Sequence, residues 1–198
     1  MQICTARLVI RPLERTDVDA LHALRPHTDP LLLRYNILAE TERERDLWFA
    51  LRTGDPLRRE WAIVTAWGQF IGRIGLREID GQECARLGIG LGAEFVNCGY
   101  GTEALIGFLD WYFGEGGFSR IVLDVSAVNA RAIHVYEKLG FCRVGDFYYP
   151  AEGDVGLVVL RHPRYAALWQ YFKQENDQIR VLYYDMELTR EAWRQRME

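Results

Sequence analysis

Asn97-Cys98-Gly99-Tyr100-Gly101-Thr102-Glu103-Ala104 is the stretch from which the rest of the chain is ordered. Its two glycines flank a turn that runs straight into an amphipathic segment. Leu105, Phe108, Leu109 and Tyr112 follow at i, i+3, i+4 and i+7, so they share one apolar face of a helix that Gly114, Gly116 and Gly117 end. The first turn of a helix leaves backbone N–H groups unpaired, and glycine keeps Cβ atoms out of their way. The turn is therefore built to hold an anion, and a phosphorylated ligand suits it.

Strand signals lie on both sides of this helix. Glu60 to Ala66, Phe70 to Ile79 and Cys84 to Leu91 are apolar runs separated by Trp67-Gly68-Gln69 and Asp80-Gly81-Gln82, the short glycine turns that join antiparallel neighbours. Upstream, Ala6 to Leu13 alternates as a first strand, and Thr16 or Asp17 caps a helix to about Leu24. Arg25 to Leu38 reads as irregular. Thr41-Glu42-Arg43-Glu44 then opens a second helix with a capping box, and Gly54 closes it. Downstream come a strand from Ile121 to Val125, a helix from Asn129 to Leu139 and a strand from Phe141 to Tyr149. An aromatic-rich helix from about Arg161 to Asn176 and an alternating strand from Val181 to Leu188 complete the order. This is mixed α/β, read as a single domain over residues 1–198 with an additional segment at about 161–179.

In the helix from Asn129, the residues Asn129, Ala132 and Tyr136 lie at i, i+3 and i+7 and share a face. The glycine turn, together with Asn129-Ala130-Arg131-Ala132 and Tyr136-Glu137-Lys138-Leu139-Gly140-Phe141, resembles the GNAT superfamily of acyl-coenzyme A dependent N-acyltransferases. Within it, the likeness is nearest to the group that includes ribosomal-protein N-terminal acetyltransferases. It covers about Arg7 to Tyr149 and resumes at Val181 to Trp193. The resemblance implies a mixed, mostly antiparallel central sheet of about seven strands with helices on both faces. Its two central parallel strands splay apart, and acetyl-CoA enters as co-substrate between the strand ending near Leu91 and the one starting near Arg120.

The family's diphosphate loop starts with Arg or Gln, followed after two residues by Gly, one further residue, and Gly or Ala. Val96 stands in the first position here, while Gly99 and Gly101 match the others. By resemblance, Asn97, Cys98, Gly99, Tyr100, Gly101 and Thr102 hold the diphosphate. Asn129, Ala132 and Tyr136 line the pantetheine arm. Ile89, Gly90 and Leu91 end a strand expected to carry a bulge, whose backbone pairs with that arm and polarises the thioester oxygen.

Two residues are candidates for the chemistry. The phenol of Tyr136, with an ordinary pKa of roughly 10, can give a proton to the departing thiolate. Asp124, a lone carboxylate in an apolar strand, is either a base acting through water on the substrate ammonium or a salt-bridged structural residue. No cysteine is placed for a covalent intermediate, so the reading is N-acetyl transfer to a primary amine by direct attack in a ternary complex. The acceptor is a protein or peptide N-terminus or a small amine, and the resemblance implies that the first two helices and the irregular Arg25 to Leu38 segment wall its pocket. A non-catalytic coenzyme A binding or sensing module of the same fold is the alternative, and Tyr136 weighs against it.

Composition excludes other classes. The formal net charge of −4 and the lack of a basic stripe argue against nucleic acid as a partner. No run approaches the roughly 18 apolar residues of a membrane span, and the N-terminus shows no signal core, so a cytoplasmic protein without a membrane partner is expected. Cys4, Cys84, Cys98 and Cys142 form no Cys-x-x-Cys pair, and the four histidines have no metal-ligand spacing, so no metal is expected. Gly88-Ile89-Gly90-Leu91-Gly92-Ala93 meets the dinucleotide fingerprint in form only, because no helix is expected to open there. The aromatics near the C-terminus leave a homodimer open.

Overall fold

The computed structural model describes residues 1–36, 40–151 and 155–197, with backbone alone at 155–157 and 197. Leu38, the end of the irregular segment, lies outside them, as does Glu198. Among the described residues nine strands form a single sheet: β1 (Ile3–Cys4), β2 (Leu8–Pro12), β3 (Arg59–Thr65), β4 (Phe70–Asp80), β5 (Cys84–Leu91), β6 (Arg120–Ser126), β7 (Cys142–Pro150), β8 (Phe172–Glu175) and β9 (Gln178–Thr189). Spatially they run β1-β2-β3-β4-β5-β6-β9-β7, with β8 paired to β9. All pairs are antiparallel except β5 with β6.

The two strands beyond the seven expected are short. β1 pairs with the start of β2, and β8 falls where a helix was read. Pro163–Tyr171 runs as 3-10 turns, and Asn176 and Asp177 then take φ of 49° and 60°. Those left-handed angles suit the tight turn of a hairpin, so Phe172–Glu175 folds back on β9 rather than continuing a helix. The helical part of this region, α5, lies earlier, at Val155–Arg161.

α1 (Arg15–Ala23) also departs from expectation. Its cap is Glu14, not Thr16 or Asp17. Asp17 instead sits in the first turn, where it accepts the Glu14 N–H at 2.7 Å and both Arg11 Nη atoms at 2.6 and 2.8 Å. α2 (Glu42–Thr53) follows the sequence closely: the Thr41 hydroxyl accepts from Glu44 N–H, and the Glu44 carboxylate accepts from Thr41 N–H at 2.8 Å.

α3 (Tyr100–Phe113) buries its apolar stripe on one face of the sheet. Leu105, Phe108, Leu109 and Tyr112 are fully enclosed, and Phe108 meets Trp61 edge-on at 5.1 Å. Tyr112 stacks on Phe118 at 4.2 Å and donates its hydroxyl to the Arg120 carbonyl, which ties the helix to the start of β6. The opposite face carries a smaller core of Leu13, Val18, Ala62 and Val64, covered by Trp48 and Phe49 of α2. α4 (Ala130–Lys138) and α6 (Arg190–Met197) complete the molecule. No helix among the described residues is long and apolar enough to cross a membrane.

Candidate active site

The site begins where the parallel pair parts. β5 and β6 are in register only at Cys84–Arg86 against Arg120–Val122, after which β5 runs on to Leu91 beside β4 alone. The expected bulge is absent there, because Gly88, Ile89, Gly90 and Leu91 face Gly75, Ile74, Arg73 and Gly72 in unbroken register. Divergence from β6 rather than a bulge bares the β5 edge. The register shifts involving β4 fall elsewhere, against β3 at Ile63/Val64 and at the β4–β5 turn. Since Gly88 to Ala93 runs through β5 and into a 3-10 turn, the dinucleotide fingerprint opens no helix.

A cleft of about 570 Å³ fills the gap. Ile89, Gly90, Leu91, Asn97, Gly99, Gly101, Thr102, Asp124, Asn129, Ala132 and Tyr136 all line it. Cys98 and Tyr100 do not. The Cys98 side chain faces solvent, and the Tyr100 ring lies under Arg7 at 4.5 Å and against Phe95 at 6.4 Å. Their side chains shape the loop rather than the cleft.

The loop itself is a left-handed turn: Asn97 has φ 61°, and Gly99, with φ 80°, is the N-cap of α3. A Cβ at Gly99 would stand 3.3 Å from Arg7 Nη2, whereas one at Gly101 would make ordinary contact with Leu91 at 3.5 Å. The first turn of α3 therefore points bare N–H groups at the cleft, and its dipole favours an anion. This is the observation that fits a diphosphate.

Arg7, which no pattern in the sequence marks, locks the loop. Its Nε donates to Glu103 at 2.6 Å and its Nη1 to the Cys98 carbonyl at 3.2 Å. Burial pushes the Glu103 carboxyl up, but hydrogen bonds from Thr5 and Arg7 outweigh it and hold the group below the usual carboxylate range. Arg7→Ala is expected to raise the KM for acetyl-CoA by roughly tenfold, the effect of one lost charge-assisted hydrogen bond, with kcat changed far less. Steady-state kinetics at saturating amine checks this.

Across the cleft, α4 begins at Asn129, whose Oδ1 accepts the Ala132 N–H at 3.2 Å while Nδ2 donates to Tyr35 Oη at 3.2 Å. Two turns later Tyr136 is buried, its ring edge-on to Phe141 at 5.6 Å. Burial first, then the neighbouring Tyr35 and Asp124, raise its pKa above the ordinary phenol value, so it keeps its proton. The Tyr183 hydroxyl, in the same cleft wall, is buried with no hydrogen-bond partner among the described residues. A buried polar atom of that kind is normally satisfied by a ligand or water.

Asp124 stands at the apex of the gap and is ion-paired. Arg77 Nη2 bonds its Oδ1, and Arg86 Nη1 reaches the same oxygen at 3.4 Å. Arg86 also donates to Asp185 at 2.8 Å and to Glu78 at 2.9 Å. Burial works against the Arg86 charge, but these bonds more than offset it and hold the guanidinium above the ordinary arginine range. Among the described residues no group of three or more potential ligands could hold a metal ion.

A sequence model of the acetyltransferase (GNAT) domain matches residues 7–142. The chain belongs to the GNAT acetyltransferase family. It is 26% identical over 141 residues to a spermidine N(1)-acetyltransferase of Vibrio cholerae, covering 71% of this chain and 82% of the relative. An uncharacterized N-acetyltransferase of Bacillus subtilis is 27% identical over 150 residues, covering 74% and 86%. The fold superposes on the V. cholerae spermidine N-acetyltransferase crystallised with CoA and spermine, with a TM-score of 0.70, 20% identity and coverage of 96% and 99%. A GNAT acetyltransferase of Bacillus anthracis gives a TM-score of 0.69 at 20% identity, covering 96% and 99%. The chain is thus an N-acetyltransferase with acetyl-CoA as its co-substrate, and the parted β5–β6 pair of its mixed sheet is the opening expected for that family.

Two features of this GNAT cleft escaped the sequence. Leu33–Tyr35 spans it, with Arg34 over the rings of Tyr183 and Tyr149 at 5.0 and 5.6 Å and Tyr35 bonded to Asn129. His27 in the same segment sits 3.1 Å from the Leu91 carbonyl. The resemblance implies that this irregular stretch walls the pocket, as His27, Arg34 and Tyr35 do, but nothing in its composition marks these contacts. Glu60 is the second feature: its carboxylate is buried between Arg52 and Arg73. The test that singled out Asp124, a carboxylate within an apolar strand, would have found it.

Proposed function

We propose that this chain moves an acetyl group from acetyl-CoA directly to the primary amine of a small molecule within a ternary complex. The carrying observation is the buried phenol of Tyr136 on the wall of the cleft where β5 and β6 part. Acetyl-CoA, when bound, supplies the activated thioester. The α3 turn offers N–H groups to the diphosphate, and the bared β5 edge from Leu87 to Leu91 offers backbone donors and acceptors to the pantetheine arm. As the amine lone pair forms the C–N bond and the C–S bond breaks, Tyr136 gives its proton to sulfur. The new amide nitrogen loses a proton to solvent, and Tyr136 regains one from it.

A small acceptor is favoured because Leu33–Tyr35 crosses the cleft and Tyr35 bonds Asn129 on its far wall. The relatives named as spermidine acetyltransferases support the same reading. A ribosomal-protein N-terminus would need that crossing segment displaced. Release of CoA thiol from acetyl-CoA with a panel of amines tests the enzyme against a mere sensor, and no release with any amine would leave the sensor. Intersecting initial-rate lines are expected for a ternary complex; parallel lines would point to a covalent intermediate instead.

Asp124 is assigned a positioning role, since its Oδ1 is held by two guanidiniums. Asp124→Asn is expected to keep the shape of the pH-rate profile and lose less than about tenfold in kcat. A displaced acidic limb would make it the base.

A reducing cytoplasm suits the four free cysteines. A homodimer is proposed through β7 and the aromatic segment, where Val144, Tyr149 and Trp169 are exposed. A monomeric mass in light scattering at micromolar concentration would reject it.

A further inference from the structure

The acceptor half of the cleft has a charge that a polycation does not match. Ladder register places Glu60, Gly75 and Gly88 side by side, and Ala62, Arg73 and Gly90 beside them, on one face of the sheet. That face is covered by Trp48 of α2, whereas the α3 that carries the phosphate loop packs on the other. A Cβ at Gly90 would meet nothing within 4 Å, and one at Gly88 only Arg77 at 3.9 Å, so this stretch is an open floor. Its wall is basic. Glu60 Oε1 accepts from Arg52 at 3.0 Å and Oε2 from Arg73 at 2.8 Å, and both guanidiniums lie over Trp48, at 4.4 and 5.3 Å. One buried carboxylate thus faces two cations. A third, Arg58, lines the same cleft and pairs with the half-exposed Asp55 at 3.2 Å, which leaves three guanidiniums to two carboxylates. Burial first, and then Arg73, push the Arg52 pKa down, and Glu60 only partly offsets them.

We infer that Arg52, Arg58 and Arg73 form an anion subsite, and that the acceptor amine carries a carboxylate or phosphate group which this subsite holds. The inference rests on the acetyl-transfer reading above and narrows its acceptor. Guanidinium forks match both anions, and both would supply the negative charge that Glu60 and Asp55 leave short. A polyamine would bring more positive charge to the same wall.

Two measurements test it. In the first, kcat/KM is compared for ethanolamine, O-phosphoethanolamine, propylamine, β-alanine and spermidine. At least one anionic amine is expected to exceed its neutral counterpart by roughly tenfold or more, the effect of one charge-assisted hydrogen bond. The phosphate and carboxylate arms show which anion is read. Arg73→Gln should bring that ratio near one, and because it strips Glu60 of a partner, Arg58→Gln, which leaves both Glu60 pairs intact, is the second variant. In the other measurement, glutarate and inorganic phosphate are titrated into CoA-saturated protein while tryptophan fluorescence is read. A saturable change that Trp48→Phe abolishes is expected. Amine turnover with spermidine preferred, or with no advantage for the anionic amines, overturns the subsite and leaves the acetyltransferase reading standing. Trp48-dependent anion binding without turnover of any amine upholds the subsite and overturns that reading. No saturable change also overturns the subsite.

Discussion

Tyr136→Phe should lower kcat by roughly a hundredfold or more, the contribution of a positioned proton donor, while KM for acetyl-CoA stays within a few-fold. The phenylalanine keeps the ring against Phe141 and removes only the hydroxyl. A tyrosine that merely packs would lose nothing measurable, so the variant separates the two roles. The pH dependence adds a second check. Burial raises the Tyr136 pKa above its ordinary value of roughly 10, so the proton donor is present below that pH and is lost only above it. Wild-type kcat is therefore expected to show no loss of the donor up to pH about 9. A wild-type kcat that falls with a pKa near 8, with the fall absent from Tyr136→Phe, would assign the wrong protonation state to the phenol.

Glu60→Ala should destabilise the protein by about 3 kcal/mol, because it leaves Arg52 and Arg73 facing each other over Trp48 without their shared counter-ion. The Glu60 side chain is 2% exposed, whereas the two arginines are 29% and 23% exposed. Their heads can turn toward water, which places the cost at the low end for a broken buried pair. The midpoint of urea unfolding should fall with an unchanged slope. Glu60→Gln keeps the volume and the hydrogen-bond acceptor of one oxygen and should cost less. Equal stability of wild type and Glu60→Ala would mean that the pair is cancelled by its own desolvation.

What could be read from the sequence was local. The glycine turn, the α3 stripe, the Thr41 capping box, the β3–β4–β5 run and the Asn129–Tyr136 face each rest on spacing within one element, and the structure places them accordingly. The hairpin at Asn176-Asp177 was hidden because aromatics at Trp169, Tyr171 and Phe172 suit a helix as well as a strand, and the turn that decides between them is two residues long. Cys98 and Tyr100 are loop residues whose expected contribution is backbone N–H, and their side chains lie off the cleft, where Arg7, some 90 positions away, bonds the Cys98 carbonyl and covers the Tyr100 ring.

The sequence by itself determined the family, the glycine turn ahead of α3 and the shared face of Asn129, Ala132 and Tyr136, since each depends on residues a few positions apart on one helix or loop. Only the tertiary structure decided that β5 bares its edge without a bulge, that Tyr35 bonds Asn129 across the cleft, and that Arg52, Glu60 and Arg73 meet. Those contacts join distant segments through sheet register and packing, and neither leaves a trace in local periodicity.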